Sequence, residues 1–259
     1  MRSLWSQWPK IRKLLADKNL ILLLDYDGTL APIVAHPSQA RLPSPTRAAL
    51  TKLACSPRVA LGIVSGRELR ELKRLVRLNN ICYVGSHGLE WALPGEGSRL
   101  RATVGRSRPL QKLTRHLRRI LHGLPNVRIE RKFLSVAVHY RGASLYHARA
   151  ARMQVTQLAR QYAHQFKLLE GKKVFEFLPA GSNSKGTAVQ ALVARLRRRP
   201  FPVVVYFGDD STDESVFACL SKNDFGIFVG RPHLSRARFY LRSPGEVCKF
   251  LQRVCKIVA

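Results

Sequence analysis

The sequence predicts an α/β protein: a core built on a parallel sheet, interrupted by one inserted α+β module with its own antiparallel sheet. Three observations point there. Short, wholly apolar runs recur at residues 20–24, 59–64 and 203–207, as expected of buried parallel strands. Each run stops at residues able to carry chemistry: Asp25 and Asp27, Ser65 and Arg67, then the cluster from Asp209 to Glu214. That is the carboxyl edge, where open α/β sheets hold their ligands. Between about residues 103 and 180 the pattern changes to alternating strands and basic helices.

Taken in order, Leu20–Leu24 is the first core strand and opens into Asp25-Tyr26-Asp27-Gly28-Thr29. Two carboxylates at this spacing suit a hard cation such as Mg²⁺, and a carboxylate can also attack phosphorus. They equally suit a turn or a helix cap. Ser44-Pro45 before Arg47–Leu50 reads as a capped helix with proline in its first turn. Val59–Val64 leads to Ser65-Gly66-Arg67 and then to a helix with Leu69, Leu72, Leu75 and Val76 on one side. Ser65 is thereby placed where a hydroxyl and free helix N–H groups can hold a phosphate, or where a serine caps the helix. Ile81–Val84 is a further short strand, ending at Gly85-Ser86-His87-Gly88.

The module expected at residues 103–182 separates core segments 1–102 and 183–259. It begins with a basic helix near Arg108–His122 and strands near 127–132 and 134–141. A longer helix from about Ser144 to His164 precedes strands near 166–170 and 173–178. This αββαββ order fits an antiparallel sheet with helices on one face. Side-chain parity puts Leu134, Val136, Val138 and Tyr140 toward the helices and Arg141 on the open face. Phe175 and Phe177 would face the helices while Glu176 points away, and Glu130 shares a face with Lys132. Ordinary cross-strand ion pairs account for such a face as well as a ligand does. The core resumes at Asn183-Ser184-Lys185-Gly186, which opens a helix, and at Val203–Phe207, which runs into Gly208-Asp209-Asp210-Ser211-Thr212-Asp213-Glu214.

The ordered set DxDGT, SGR, Lys185 and GDDxTDE resembles the phosphatases of the haloacid dehalogenase superfamily. Within it the chain resembles the trehalose-6-phosphate phosphatase family. The closer likeness rests on Asp25–Ile33, Val64–Arg67, Gly85–Glu90, Glu130–Lys132, His139–Arg141, Glu176 with Pro179, and Gly208–Glu214. It spans roughly residues 20 to 230. The resemblance implies a Rossmann-like core with a cap, and a two-step phosphoryl transfer. Asp25 would be the nucleophile and Asp27 the acid and base. Mg²⁺ would sit on Asp25, the backbone carbonyl of Asp27 and Asp209, with Asp213 a further ligand or a support for one, and Asp210 open. Ser65 and Lys185 would hold phosphate oxygens. Arg67 would reach the phosphate or the near sugar, and His87 would be either a substrate contact or a structural histidine. Glu130, Lys132, Arg141 and Glu176 would take sugar hydroxyls. The runner-up substrates are a sucrose phosphate or a mannosyl phosphoglycerate.

Composition agrees with an enzyme of this size. The 259 residues are 46% hydrophobic, enough for one α/β core and an insertion. No apolar run reaches transmembrane length, and Met1–Asn19 lacks a signal peptide's apolar centre. The five cysteines show no CxxC pair, which fits reduced thiols in a cytoplasmic protein. Forty-five Lys and Arg against 16 Asp and Glu leave a net charge of +29. That field attracts phosphorylated substrates and also supports a nucleic-acid-binding protein as a different class of reading. The basic residues are spread along the chain, without a recognition-helix, zinc-finger or RNA-platform signature, so weak nonspecific polyanion binding is expected but no specific nucleic acid. Arg197–Arg199 before Pro200 suit the end of a helix. A sugar phosphate is the expected partner, and a monomer the working expectation.

Overall fold

A computed structural model describes residues 1–34, 39–96, 98–100, 108–197 and 202–258. The elements run β1 (Arg2–Ser3), α1 (Trp8–Ala16), β2 (Leu20–Leu24), α2 (Ser44–Cys55), β3 (Val59–Val64), α3 (Leu69–Val76), β4 (Cys82–Gly85), β5 (Glu90–Ala92) and β6 (Ser98–Leu100). Next come α4 (Arg108–Ile120), β7 (Arg128–Arg131), β8 (Val136–His139), α5 (Leu145–Gln161), β9 (Phe166–Gly171) and β10 (Val174–Pro179). The chain closes with α6 (Lys185–Leu196), β11 (Val203–Gly208), α7 (Glu214–Phe217), β12 (Phe225–Val229), β13 (Phe239–Leu241) and α8 (Pro244–Val258). Two compact units result, Met1–Arg99 with Asn183–Ala259, and Leu100–Ser182. The expected boundary between residues 102 and 103 lies outside the described residues, as do Arg198, Arg199 and Pro200.

In the first unit the sheet order is β1-β13-β12-β11-β2-β3-β4-β5-β6. Pairing is parallel from β1 through β4 in that order and turns antiparallel at β4–β5. β2 is buried along its whole length because its side chains alternate between two apolar layers. Leu20, Leu22 and Leu24 join the cluster formed with α1, α2, α3 and α8, while Ile21 and Leu23 join the one formed with α6 and α7. β11 repeats the pattern, with Val203, Val205 and Phe207 on the first side and Val204 and Tyr206 on the second. Each such leucine contributes roughly 2 kcal/mol by leaving water. Successive strands leave β2 on opposite sides, β3 on one and β11 on the other. The carboxyl end of β2 is therefore a topological switch point, the natural ligand crevice of an open sheet.

The second unit is the order β7-β8-β10-β9, antiparallel throughout, with α4 and α5 on one face. Val136, Val138, Tyr140, Phe175 and Phe177 pack with Leu110, Leu113 and Leu117 of α4 and Val155 and Leu158 of α5. The αββαββ succession and the inward parity of β8 and β10 are those expected. α5 starts where Ser144 caps it by accepting from His147 N.

One local expectation fails. Ser44 is the first residue of α2, not its cap; Pro43 precedes it without a side-chain capping bond, and Pro45 occupies the first turn. Proline already satisfies that turn by lacking one of the N–H groups a cap would serve. β1, α1, β12, β13, α8 and the β5–β6 extension are elements the sequence reading does not assign. No helix among the described residues is long and apolar enough to cross a membrane.

Candidate active site

The site begins as a backbone arrangement at the end of β2. Asp25 N donates to Phe207 O at 2.9 Å, which ties the start of the turn to β11. Leu30 N and Ala31 N both donate to Tyr26 O at 2.9 Å, and Gly28 N donates to Ala31 O at 2.8 Å. Closing so tight a loop takes Gly28 to φ +78°, where a side chain is disfavoured. Glycine is needed for space as well: a Cβ there would lie 2.1 Å from Asp209 Oδ2. A Cβ on Gly208 would likewise lie 2.2 Å from Asp213 Cγ. Two bare backbone positions thus let two carboxylates settle beside Asp25.

Asp25, Asp209 and Asp213 are all buried and each offers an oxygen within 4.8 Å of the others. Lys185, the first residue of α6, donates to Asp25 Oδ1 and Asp213 Oδ1, both at 2.6 Å. Ser184 fixes the start of that helix by accepting from Thr187 N. Asp213 is fully occupied. Its Oδ1 also accepts from the Tyr206 hydroxyl at 2.6 Å, and its Oδ2 accepts from Asp209 N and Asp210 N, both at 3.0 Å. Four bonds fill the acceptor positions of a carboxylate.

One ammonium facing three buried carboxylates leaves the cluster net negative. Burial pushes the Asp25 carboxyl well above its ordinary pKa; Lys185 opposes that, and Asp213 and Asp209 reinforce it. Burial would discharge Lys185, but Asp213 and Asp25 outweigh it and hold the ammonium well above its ordinary range. Burial, then Asp213, pushes the Tyr206 hydroxyl up and keeps it a donor. The pocket is electrostatically short of a cation.

Asp27 lies apart from this cluster. Its carboxylate accepts from Arg67 Nε at 2.7 Å and Nη2 at 2.8 Å, a bidentate pair. Arg67 Nη1 meets Glu71, and the guanidinium carbon lies 5.4 Å from the centre of the Tyr26 ring. Ser65 is buried at the end of β3 and its hydroxyl accepts from Arg67 N at 3.2 Å. The N–H groups expected to be open at the start of α3 are not all so: Leu69 N donates to Glu90 Oε2 at 3.0 Å, and the Ser86 hydroxyl donates to the same oxygen. Ser86 and His87 adopt φ +47° and +55°, strained values for side-chain-bearing residues. The turn brings the His87 ring over Gly66, where a Cβ would lie 2.5 Å from Nε2.

In the second unit Glu130, Ala137 and Glu176 are register partners across β7, β8 and β10. Both carboxylates therefore share the face opposite Val136 and Phe175. Glu176, 5% exposed, accepts from Lys132 Nζ at 3.0 and 3.1 Å and from the Ser135 hydroxyl at 2.6 Å. His139 Nε2 lies 2.7 Å from Glu130 Oε2, and that bond holds the Glu130 carboxyl below its usual pKa against burial, with help from Lys132. Arg141 is exposed and donates to Lys172 O at 3.1 Å.

The structure gathers Asp25, Lys185, Asp209 and Asp213 in one network, Asp27 with Arg67 in another, and Glu130, Lys132 and Glu176 on one sheet face. Tyr206, Ser135 and Glu90 are partners that the sequence reading missed. Tyr206 and Ser135 were open to the parity argument that placed Glu176. Glu90 reaches α3 from 21 residues away, with no local signal.

The trehalose-phosphatase family model matches residues 23–241. Among curated relatives, probable trehalose-phosphate phosphatase H of Arabidopsis thaliana is 33% identical, over 96% of this chain and 75% of its own. The trehalose-phosphate phosphatase of Mycobacterium ulcerans is 32% identical, over 90% of this chain and 60% of its own. In fold, the C-terminal domain of the C. albicans trehalose-6-phosphate phosphatase covers 96% of both chains with a TM-score of 0.87 at 23% identity. A haloacid dehalogenase-like hydrolase of Bacteroides thetaiotaomicron covers 92% of this chain and all of its own, with a TM-score of 0.67 at 15% identity. A family match over most of the chain, on a core whose strand ends carry these carboxylates, leaves one assignment: the chain belongs to the trehalose-phosphatase family of phosphoric monoester hydrolases.

Proposed function

We propose that this chain hydrolyses trehalose 6-phosphate to trehalose and inorganic phosphate through an aspartyl-phosphate on Asp25. The observation that carries the proposal is the Asp25 carboxylate at the switch point, 2.6 Å from a buried lysine and two residues before a second, separately held carboxylate. Asp25 attacks phosphorus, the P–O bond to the sugar breaks, and the departing oxygen takes a proton from Asp27. Water then gives a proton to Asp27 while its oxygen bonds phosphorus and frees Asp25. Lys185 has three N–H groups, of which Asp25 and Asp213 take two, so one is left for a phosphate oxygen. The Ser65 hydroxyl accepts from Arg67 N and keeps its own proton to donate.

Mg²⁺ fits the residues present. The donors are hard carboxylate oxygens, and the pocket is net negative. Asp25 and Asp209 would hold the ion with the backbone carbonyl of Asp27, while Asp213, its acceptor positions filled, orients Lys185 and the Asp209 turn. Bound there, the ion neutralises charge that would otherwise repel a phosphate dianion from a carboxylate. Glu130, Lys132, Arg141 and Glu176 take sugar hydroxyls, which carboxylates accept and cations donate to. All five cysteines are free thiols, in keeping with a reducing cytoplasm.

Phosphate release from a panel of sugar phosphates tests this, with and without chelator. Trehalose 6-phosphate should be the best substrate, EDTA should abolish release and Mg²⁺ restore it. Preference for sucrose phosphate or a mannosyl phosphoglycerate would replace the sugar assignment. Full activity in metal-free buffer would remove the metal.

A further inference from the structure

We propose that Arg67 is a positioning residue: its guanidinium fork fixes the Asp27 carboxyl for proton transfer, in place of binding the phosphate. This rests on the reading that Asp27 exchanges protons with the leaving group and with water. Asp27 needs such a support. Its side chain is short, lies three residues past the end of β2 and is 43% exposed, so water would otherwise leave its rotamer open. Arg67 grips both of its oxygens, at 2.7 and 2.8 Å.

The grip is itself rigid. The Arg67 side chain is only 7% exposed, with Nη1 on Glu71 and the guanidinium over the Tyr26 ring. Its backbone is held at both ends, N–H on the Ser65 hydroxyl and C=O accepting from Ser86 N at 2.7 Å. Three of the five guanidinium N–H groups, the whole Nε–Nη2 edge among them, are thus committed to two carboxylates. Charge is also partitioned. Lys185 pairs with Asp25 and Asp213, and Arg67 pairs with Asp27 and Glu71. The two aspartates, though two residues apart, are kept from sharing one cation. A bidentate fork takes one lone pair from each Asp27 oxygen and leaves a second on each. A proton given up to the departing oxygen, or received from water, can occupy that position.

Leaving-group chemistry gives the test. A sugar alkoxide needs a proton as the P–O bond breaks, whereas p-nitrophenolate departs without one. Purified wild type, Arg67→Ala, Arg67→Lys and Glu71→Gln are compared on trehalose 6-phosphate and p-nitrophenyl phosphate. Steady-state rates are measured together with single-turnover release at excess enzyme. Arg67→Ala should lower kcat on the sugar phosphate about 100-fold, the scale of one acid–base group, with KM within about threefold. Single-turnover p-nitrophenol release should stay within about threefold, while steady-state turnover of that ester falls because water attack still needs Asp27. Arg67→Lys, which keeps the charge but not the fork, should recover less than about a tenth of the loss.

A rise in KM with kcat kept, or equal single-turnover losses on both esters, would make Arg67 a phosphate ligand and overturn the proposal. Should Arg67→Ala fail to fold by circular dichroism, Glu71→Gln decides, since Glu71 touches Arg67 and not Asp27. It should show the same split on a smaller scale, and no split would overturn the proposal. A wild type active on the aryl ester but on no sugar phosphate removes the sugar assignment and leaves the aryl comparison to judge Arg67. A wild type inactive on both overturns both readings.

Discussion

On the proposed mechanism Asp25 must be buried enough to exclude water yet remain ionised, and its surroundings pull in both directions. Burial and the neighbouring Asp213 and Asp209 raise its pKa while Lys185 lowers it, and the raising influences win. A carboxyl with a pKa above its unfolded value costs stability as pH rises through that elevated value. Asp25→Asn removes the cost, so the metal-free variant should melt no lower than wild type at pH 7. Turnover should fall at least about a thousandfold, because an amide cannot be the nucleophile. A lowered melting point with activity retained would place the nucleophile elsewhere. Gly28→Ala tests the same corner from the backbone. Its Cβ would meet Asp209 Oδ2 at 2.1 Å, at a φ of +78°. The variant should need at least about tenfold more Mg²⁺ for half-maximal activity, because a carboxylate displaced by an ångström is lost as a ligand. Asp25, Asp209 and Lys185 were legible in the sequence because each closes a strand or opens a helix. The Arg67–Asp27 pair was not, since nothing local to either residue reveals a contact made 40 residues away.

At the scale of elements, parity did most of the reading. Alternation along β8 and β10 sorts Val136, Val138, Phe175 and Phe177 from Ser135 and Glu176, and the register then lines up Glu130 with Glu176 through Ala137. Alternation says which face, but the pairing on that face follows from register, which a lone sequence does not carry. Elements missed at the ends of the chain are short, like β1 and β13, or are recognisable as core only when their neighbours are known. The polar face of the second unit can be probed at Glu176. Removing Glu176 outright would take three internal bonds from Lys132 and Ser135, confusing binding with folding. Glu176→Gln keeps the shape and, through its amide oxygen, can still accept from both Lys132 and Ser135, giving up the second Lys132 bond. Its kcat/KM on trehalose 6-phosphate should fall about tenfold, the size of one charge-assisted hydrogen bond, with p-nitrophenyl phosphate hydrolysis unchanged within about twofold. Equal losses on both esters would make Glu176 a support of the fold. No loss on either would leave it a structural ion pair.

The net charge of +29 stands against a buried carboxylate network that is itself acidic. A field of that size acts before contact. It draws a phosphate dianion toward the protein and raises the encounter rate by about 10- to 1000-fold in favourable cases. Salt distinguishes such a field from a short hydrogen bond. The Debye length falls from about 30 Å at 0.01 M to about 3 Å at 1 M, so steering is lost while short-range contacts persist. With chloride as the anion, kcat/KM for a sugar phosphate should fall about tenfold over that range, and kcat should change by less than about twofold. Charge reversal away from the carboxylate network completes the argument. Lys249 and Lys256 are exposed on α8. Converting both to Glu should lower kcat/KM about twofold at low ionic strength and leave it unchanged at high salt. A loss that persists at high salt would mean these lysines act by contact. A kcat/KM indifferent to salt in the unmodified protein would mean that the field plays no part in bringing substrate in. The charge would then have to serve a polyanionic partner, whose binding would show the steep salt dependence that the enzyme lacked.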